Sequence, residues 1–329
     1  MGDIVHAMVA LQYIKKHLPD IEIDWIVEEA FAEILKHNPH IDNILPVRLK
    51  ALKRNKSLLL EEIRRVREYA QNDYDLVIDA QGLLKSAITA RLLGKKVAGF
   101  SRGSIREKAA SFFYTKTVKI DYAANTIDRN VKVLSEPFGF EITPRMILDK
   151  SPFLFYKNPD IDIEKYFSKE KKNILLVIGS TWESRNYPKE QFAEVAHRLS
   201  ENSLIVWGNE EERKRGEWIA AKTPHATLLP KMDLNTLKAV IDRSDLLIGN
   251  DTGPTHMAWA LNRPSITLFG PTPVSRVYTT PINKVFKSPS VVNPYKLDRN
   301  DFSIHKIPPE DIAKEAQNML KYHPLKNLE

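Results

Sequence analysis

At 329 residues the chain exceeds what one simple core packs, so about two domains are expected. Its composition, 43% hydrophobic and 28% charged, is that of a globular protein; no run of about 18 apolar residues could span a bilayer, and the lack of cysteine excludes disulfides, thiolate metal sites and cysteine nucleophiles. The net charge of +7 favours an acidic partner, a condition that nucleic acid, anionic lipid and a phosphorylated substrate all meet.

The chain opens with Ile4, Val5, Met8, Val9, Leu11, Ile14 and Leu18 at helical spacing up to Pro19, rather than with an export signal, so the cytoplasm is the expected compartment. Residues 21–27 then alternate as a strand. A doubly wound nucleotide domain normally begins with a strand in the middle of its sheet, and a gap there would leave both neighbours with unpaired backbone groups. A strand preceding Met1 is therefore expected in the natural fold.

Further alternation predicts a helix over 31–37, a strand over 41–47, a helix over 58–70, a strand over 76–79, a helix over 83–93 and a strand over 96–100. Residues 151–172, with Pro152, Asn158-Pro159 and mixed charges, read as a linker. Strands over 174–178, 204–207, 227–229, 246–248 and 265–269 follow, with helices over 189–199, 211–221, 234–243 and after Pro254 between them, and a last helix over 309–322. Regular β–α alternation predicts an α/β protein with mostly parallel sheets: two Rossmann-like doubly wound domains, over 1–155 and 156–308, facing across a cleft. The closing segment 309–329 is expected to pack back on the first domain.

Four stretches after predicted strands carry candidate chemistry, where open parallel sheets bind ligands. In Asp245-Leu-Leu-Ile-Gly-Asn-Asp251-Thr252-Gly253-Pro254-Thr255-His256, a strand turns into a helix whose free N–H groups form an anion site, though a well-capped turn has the same local signature. Asp251 would repel a phosphate there unless it faces sugar hydroxyls or N–H groups. Gly179-Ser180-Thr181-Trp182-Glu183-Ser184-Arg185 offers hydroxyls and one fixed cation, and the two turns together favour a diphosphate. Neither GxGxxG nor GxxxxGK[ST] is present, which disfavours a redox dinucleotide and a P-loop. Glu210 after Trp207-Gly208-Asn209 could take both ribose hydroxyls, and Met232 could pack on a base; a solvated charge and plain core packing are their bland alternatives. Asp3 or His6 could serve as a general base beside the cleft, although an N-cap and a packed histidine are common roles for such residues. Lys50, Lys53, Arg54 and Lys56 form one basic cluster, and Arg102 with Arg106 another, which fits a polyanionic acceptor.

Met1-Gly-Asp-Ile-Val-His6, Asp79-Ala-Gln-Gly-Leu-Leu-Lys-Ser86, Asn250-Asp-Thr-Gly-Pro-Thr-His256, Asn262-Arg-Pro and Phe269-Gly-Pro-Thr272, in this order along nearly the whole chain, resemble the lipopolysaccharide heptosyltransferases of glycosyltransferase family 9, its type I branch most closely. The resemblance implies a GT-B fold and inverting transfer of heptose from ADP-heptose to a Kdo residue of Kdo2-lipid A, needing no metal or other cofactor. It also implies a cytoplasmic enzyme peripheral on the inner face of the inner membrane, with no nucleic-acid partner. Asp3 matches the family's catalytic base. Ser180, Thr181, Glu210, Met232, Asp251, Thr252, Gly253 and His256 match donor-binding positions, with Arg185 where the family commonly has lysine. Lys50, Lys53, Arg54 and Arg106 are similar to the basic residues that hold the acceptor. A type II heptosyltransferase, another nucleotide-sugar GT-B enzyme, and a non-catalytic protein docking on anionic membrane or nucleic acid are the alternatives.

Overall fold

The computed structural model describes residues 1–322, apart from the side chains of Lys53 and Tyr322; residues 323–329, part of the expected closing segment, lie outside the described residues. The chain divides into two units, with the boundary between Phe155 and Tyr156.

The first unit opens with α1 (Gly2–His17), whose Val5, Met8, Val9, Leu11 and Ile14 are buried and whose last turn carries Lys15, Lys16 and His17, a favourable charge at a helix C-terminus. Strands β1 (Asp24–Glu28) and β2 (Asn43–Val47) pair in parallel as one sheet. After α2 (Leu59–Tyr69), strand β3 (Val77–Asp79) leads into α3 (Leu84–Leu93) and β4 (Val97–Phe100). Strand β5 (Lys116–Val118) completes a second parallel sheet in the order β3-β4-β5, and α4 (Thr126–Ser135) and α5 (Pro144–Leu148) follow. The sequence pattern leaves β5, α4 and α5 unassigned, because β5 is short and two of its three residues face outward. The helix expected over 31–37 is instead a 3-10 turn, Glu29–Ile34.

In the second unit six strands form one parallel sheet. They are β6 (Asn173–Val177), β7 (Asn202–Val206), β8 (Ala226–Leu228), β9 (Leu246–Asn250), β10 (Ser265–Phe269) and β11 (Asn283–Lys287). Their order is β11-β10-β9-β6-β7-β8. The chain winds outward from β6 to one edge, then returns to β9 beside β6 and winds to the other. That reversal between β6 and β9 is the switch point where such sheets open a crevice at their C-terminal ends. Helices α6 (Lys189–Leu199), α7 (Glu210–Lys222), α8 (Leu234–Arg243) and α9 (Gly253–Ala260) connect the strands. The strands read as near-continuous apolar runs because both faces are covered.

The last helix, α10 (Pro309–Tyr322), packs on the second unit. Its Ile312, Ala313, Ala316 and Met319 enter the second unit's core beside Phe192, Val195 and Leu199 of α6. The apolar face of α10 is matched to the groove over α6, and burying Ile312 and Met319 there is worth about 1.5–3 kcal/mol each.

Candidate active site

At the switch point the sequence builds a buried polar knot. Strand β9 must approach β6 closely: a Cβ on Gly249 would lie 2.6 Å from that of Val177, its ladder partner, so only glycine fits. Asn250 ends β9 fully buried, donates from Nδ2 to the Ile178 carbonyl at 3.0 Å and accepts the Tyr187 N–H at 3.0 Å. This one amide ties the turn after β9 to the loop after β6.

Asp251 comes next, 1% exposed. Its Oδ1 accepts from His256 Nε2 at 3.0 Å, and its Oδ2 accepts from Thr272 Oγ1 at 2.8 Å and pairs with Arg185 Nη2 at 3.0 Å. Burial alone would push this carboxyl up; the hydrogen bond from His256 and the charges of Arg185, His256 and Arg276 outweigh burial and hold it well below the usual carboxylate range. Through these contacts Asp251 holds Arg185 and His256 in place. Arg185 also lies 5.5 Å over the Trp182 ring, whose other cationic neighbour, Arg299, is at 4.6 Å.

Thr252 is the N-cap of α9, and the buried Gly253 begins the helix with Pro254 in its first turn. The first-turn N–H groups have no intrahelical acceptor, and the helix end adds positive potential. On the β6 loop, the Ser180 hydroxyl is enclosed with no hydrogen-bond partner among the described residues, while Thr181 is exposed. An enclosed orphan hydroxyl costs stability unless a ligand satisfies it. Donors, a fixed guanidinium and a helix N-terminus on adjacent strands suit a diphosphate.

Glu210, the ribose candidate from the sequence, opens α7. Its carboxylate is exposed and occupied by Arg213 within one turn of α7, and that hydrogen bond lowers its pKa. Glu212 is the carboxylate that turns inward over the strand ends. It accepts the Gly208 N–H at 2.7 Å and Asn209 Nδ2 at 2.8 Å, and it fills the space beside Gly179, where a Cβ would come within 2.1 Å of it. Three consecutive glutamates open α7, and only the helical turn decides which one faces the sheet. Met232 is half-buried in the loop after β8.

In the first unit, Asp3 lies exposed in the first turn of α1; the N-cap is Met1, so Asp3 does not cap the helix. Asp3 and Lys50 both act electrostatically on the Met1 amine, whose pKa burial lowers, which places the two near one helix end. His6 is buried. The exposed Lys50 reaches over the Phe31 ring at 4.2 Å, and its backbone N–H donates to Glu28. Arg54 is exposed beyond the turn Ala51–Lys53, and the side chain of Lys53 lies outside the described residues. Arg106 is exposed, with Glu107 at 3.7 Å. The motif at Asp79 is structural: its Oδ1 accepts the Gln81 and Gly82 N–H groups, and its Oδ2 accepts Ser86 Oγ and the Tyr114 hydroxyl, so one buried carboxylate shapes the turn between β3 and α3.

The profile of the family described as Glycosyltransferase family 9 (heptosyltransferase) matches residues 63–299. Lipopolysaccharide heptosyltransferase 1 of Campylobacter coli is 37% identical over 97% of this chain and 96% of its own. The protein of the same name from Pseudomonas aeruginosa is 34% identical over 83% and 76%. Among solved structures, E. coli heptosyltransferase WaaC with ADP superposes at a TM-score of 0.79, with 24% identity and 97% of each chain covered. A family 9 glycosyltransferase from Veillonella parvula also gives 0.79, with 22% identity over 98% and 95%. The fold is therefore GT-B, and with the profile spanning well over half of the sequence and a relative matched end to end, the chain belongs to glycosyltransferase family 9, the heptosyltransferases.

Proposed function

We propose that this glycosyltransferase moves heptose from ADP-heptose to a Kdo residue of Kdo2-lipid A, inverting the anomeric centre and using no metal or other cofactor. The observation that carries this reading is Arg185 locked on Asp251 at the end of β9, on strands next to the unpartnered Ser180 hydroxyl. The sheet order supports an extended ADP laid across the strand ends. Arg185, Ser180, Thr181, Thr252 and Gly253 take the diphosphate at β9 and β6, Glu212 takes the ribose at β7, and Met232 packs on the base at β8. Neighbouring strands are about 4.8 Å apart, so three strand steps span about 14 Å. The names of the relatives support heptose as the sugar and lipopolysaccharide as the acceptor.

Asp3, from the first unit, takes the proton of the attacking acceptor hydroxyl as that oxygen bonds to the anomeric carbon and the bond to ADP breaks. Negative charge gathers on the leaving diphosphate, and Arg185 with the first turn of α9 stabilises it where stabilisation raises the rate. Lys50, Lys53, Arg54 and Arg106 hold the anionic acceptor. The enzyme works in the cytoplasm, peripheral on the inner face of the inner membrane; among the described residues no helix is long and apolar enough to cross a membrane. Incubation with ADP-heptose and Kdo2-lipid A, read by product mass, tests the reaction. Asp3→Ala is expected to cut turnover by about two orders of magnitude or more with ADP binding nearly unchanged. Normal turnover in that variant overturns the role of Asp3, and an absent product overturns the reaction.

A further inference from the structure

Trp182 stands in the loop after β6, between Ser180 and Arg185, and is half-buried. Two guanidinium groups lie over its ring, that of Arg185 at 5.5 Å from the centre and that of Arg299 at 4.6 Å. Arg299 comes from far along the chain, on the loop after β11 at the edge of the sheet. A tied stem sets the course of that loop. Lys287 Nζ donates to the Ser288 and Ser290 carbonyls at 3.0 and 2.9 Å, and the Ser288 and Ser303 hydroxyls bond at 2.8 Å. Asp301, two residues past Arg299, accepts the Ser290 hydroxyl and the Ser303 N–H. Just beyond, a Cβ on Gly270, after β10, would lie 2.8 Å from Ile304 Cβ and 3.3 Å from the Ser184 carbonyl oxygen. The loops after β6, β10 and β11 therefore meet at one end of the sheet.

The charges there do not cancel. Arg185 is met by Asp251 at 3.0 Å. Glu183, next to Trp182, turns both oxygens to Arg215 Nη2 at 2.7 Å, and Asp298 accepts the Asn300 N–H at 2.9 Å. Among the described residues no carboxylate pairs with the exposed Arg299. Arg276, on the loop after β10, adds its charge at Asp251. Surplus guanidinium charge at the strand ends draws an anion. Resting on the indole leaves Arg299 able to bind one: a guanidinium over a ring uses its face, while its N–H donors fork outward in its plane and fit phosphate oxygens. Both guanidinium carbons lie within 5.5 Å of one ring centre, close enough for a single diphosphate to bridge them.

We propose that Arg299 binds the donor's diphosphate together with Arg185, and that Trp182 is the positioning residue on which both guanidiniums rest. The inference deepens the proposed donor site and rests on that reading for the diphosphate being part of ADP-heptose. As the bond from the anomeric carbon to ADP breaks, its electron pair stays on the leaving phosphate oxygen, and Arg299 offsets that charge beside Arg185. Calorimetric titration of the full chain with ADP and with inorganic pyrophosphate tests this. Arg299→Ala should weaken both ligands about tenfold or more, and Arg299→Lys should fall between it and the parent, since an ammonium keeps the charge and loses the fork. The gap between parent and Arg299→Ala should narrow in high salt. Trp182→Ala should weaken both ligands about threefold, and Trp182→Phe should restore most of the loss because a flat ring remains. Circular dichroism of every variant should match the parent. Parent-like affinity for both ligands in Arg299→Ala overturns the role of Arg299 and leaves the ADP-heptose reading standing. A loss that salt does not touch would make Arg299 a support for its loop and overturn its contact with phosphate. Parent-like binding by Trp182→Ala overturns the role of Trp182. Arg299-dependent binding of pyrophosphate without binding of ADP would keep the anion site and overturn the donor, and a parent chain that binds neither ligand overturns both.

Discussion

Asp251 and Glu212 show how far a side chain's role depends on its surroundings. Asp251 stands in a motif that suggests a ligand contact, and in the fold its oxygens bond His256, Thr272 and Arg185. Its pKa is lower in the folded than in the unfolded chain, so it stabilises the fold above its ordinary value of 3.8, and that stabilisation is lost as pH falls through that range. Asp251→Asn should cost about 3 kcal/mol at neutral pH, because Arg185 is left without its buried partner. Acid titration followed by chemical denaturation should show the parent losing its advantage over Asp251→Asn below about pH 4; a difference that stays constant as pH falls further would contradict the linkage. The acidic run opening α7 gives a second contrast. Glu212→Gln should weaken ADP binding about tenfold, as expected for a hydrogen bond to a charged group, while Glu210→Gln should change it less than about twofold. Calorimetric titration with ADP decides, and the reverse order would restore Glu210 to the ribose.

Elements inherit their place from apolar faces that sequence periodicity reveals only in part. Helix α10 is visible as a helical pattern, but the pattern does not say which core accepts it. Ile312, 0% exposed, sits against α6, so Ile312→Ala should cost about 2–5 kcal/mol. Hydrogen exchange should show the loss in α6 and β6 and not in α1; faster exchange in α1 instead would return α10 to the first unit. Short elements escape for the opposite reason: β5 presents one inward residue, Val118, which is too little for a period to register. The tie from Asn250 to the β6 loop is invisible as well, because it joins positions 63 and 72 residues apart.

For the molecule, the reversal of the parallel sheet between β6 and β9 is where the proposed donor site lies, at the second unit's strand ends. ADP alone should therefore raise the thermal midpoint by a few degrees at about 100 times its dissociation constant, since a ligand held only by the native state stabilises it by about 2.7 kcal/mol there. Scanning calorimetry with and without ADP checks this, and an unmoved midpoint at saturating ADP would count against the donor site. By itself the sequence determined the alternation of elements, the two-part α/β plan, the turns at 179–188 and 249–256, and the family, because periodicity, turn chemistry and contiguous motifs are local properties. Only tertiary structure decided that Asp251 pairs with Arg185, that Glu212 packs against Gly179 at the strand ends, and that α10 joins the second core. Each of these depends on which distant groups a side chain meets once its backbone is packed, and no spacing along the chain carries that.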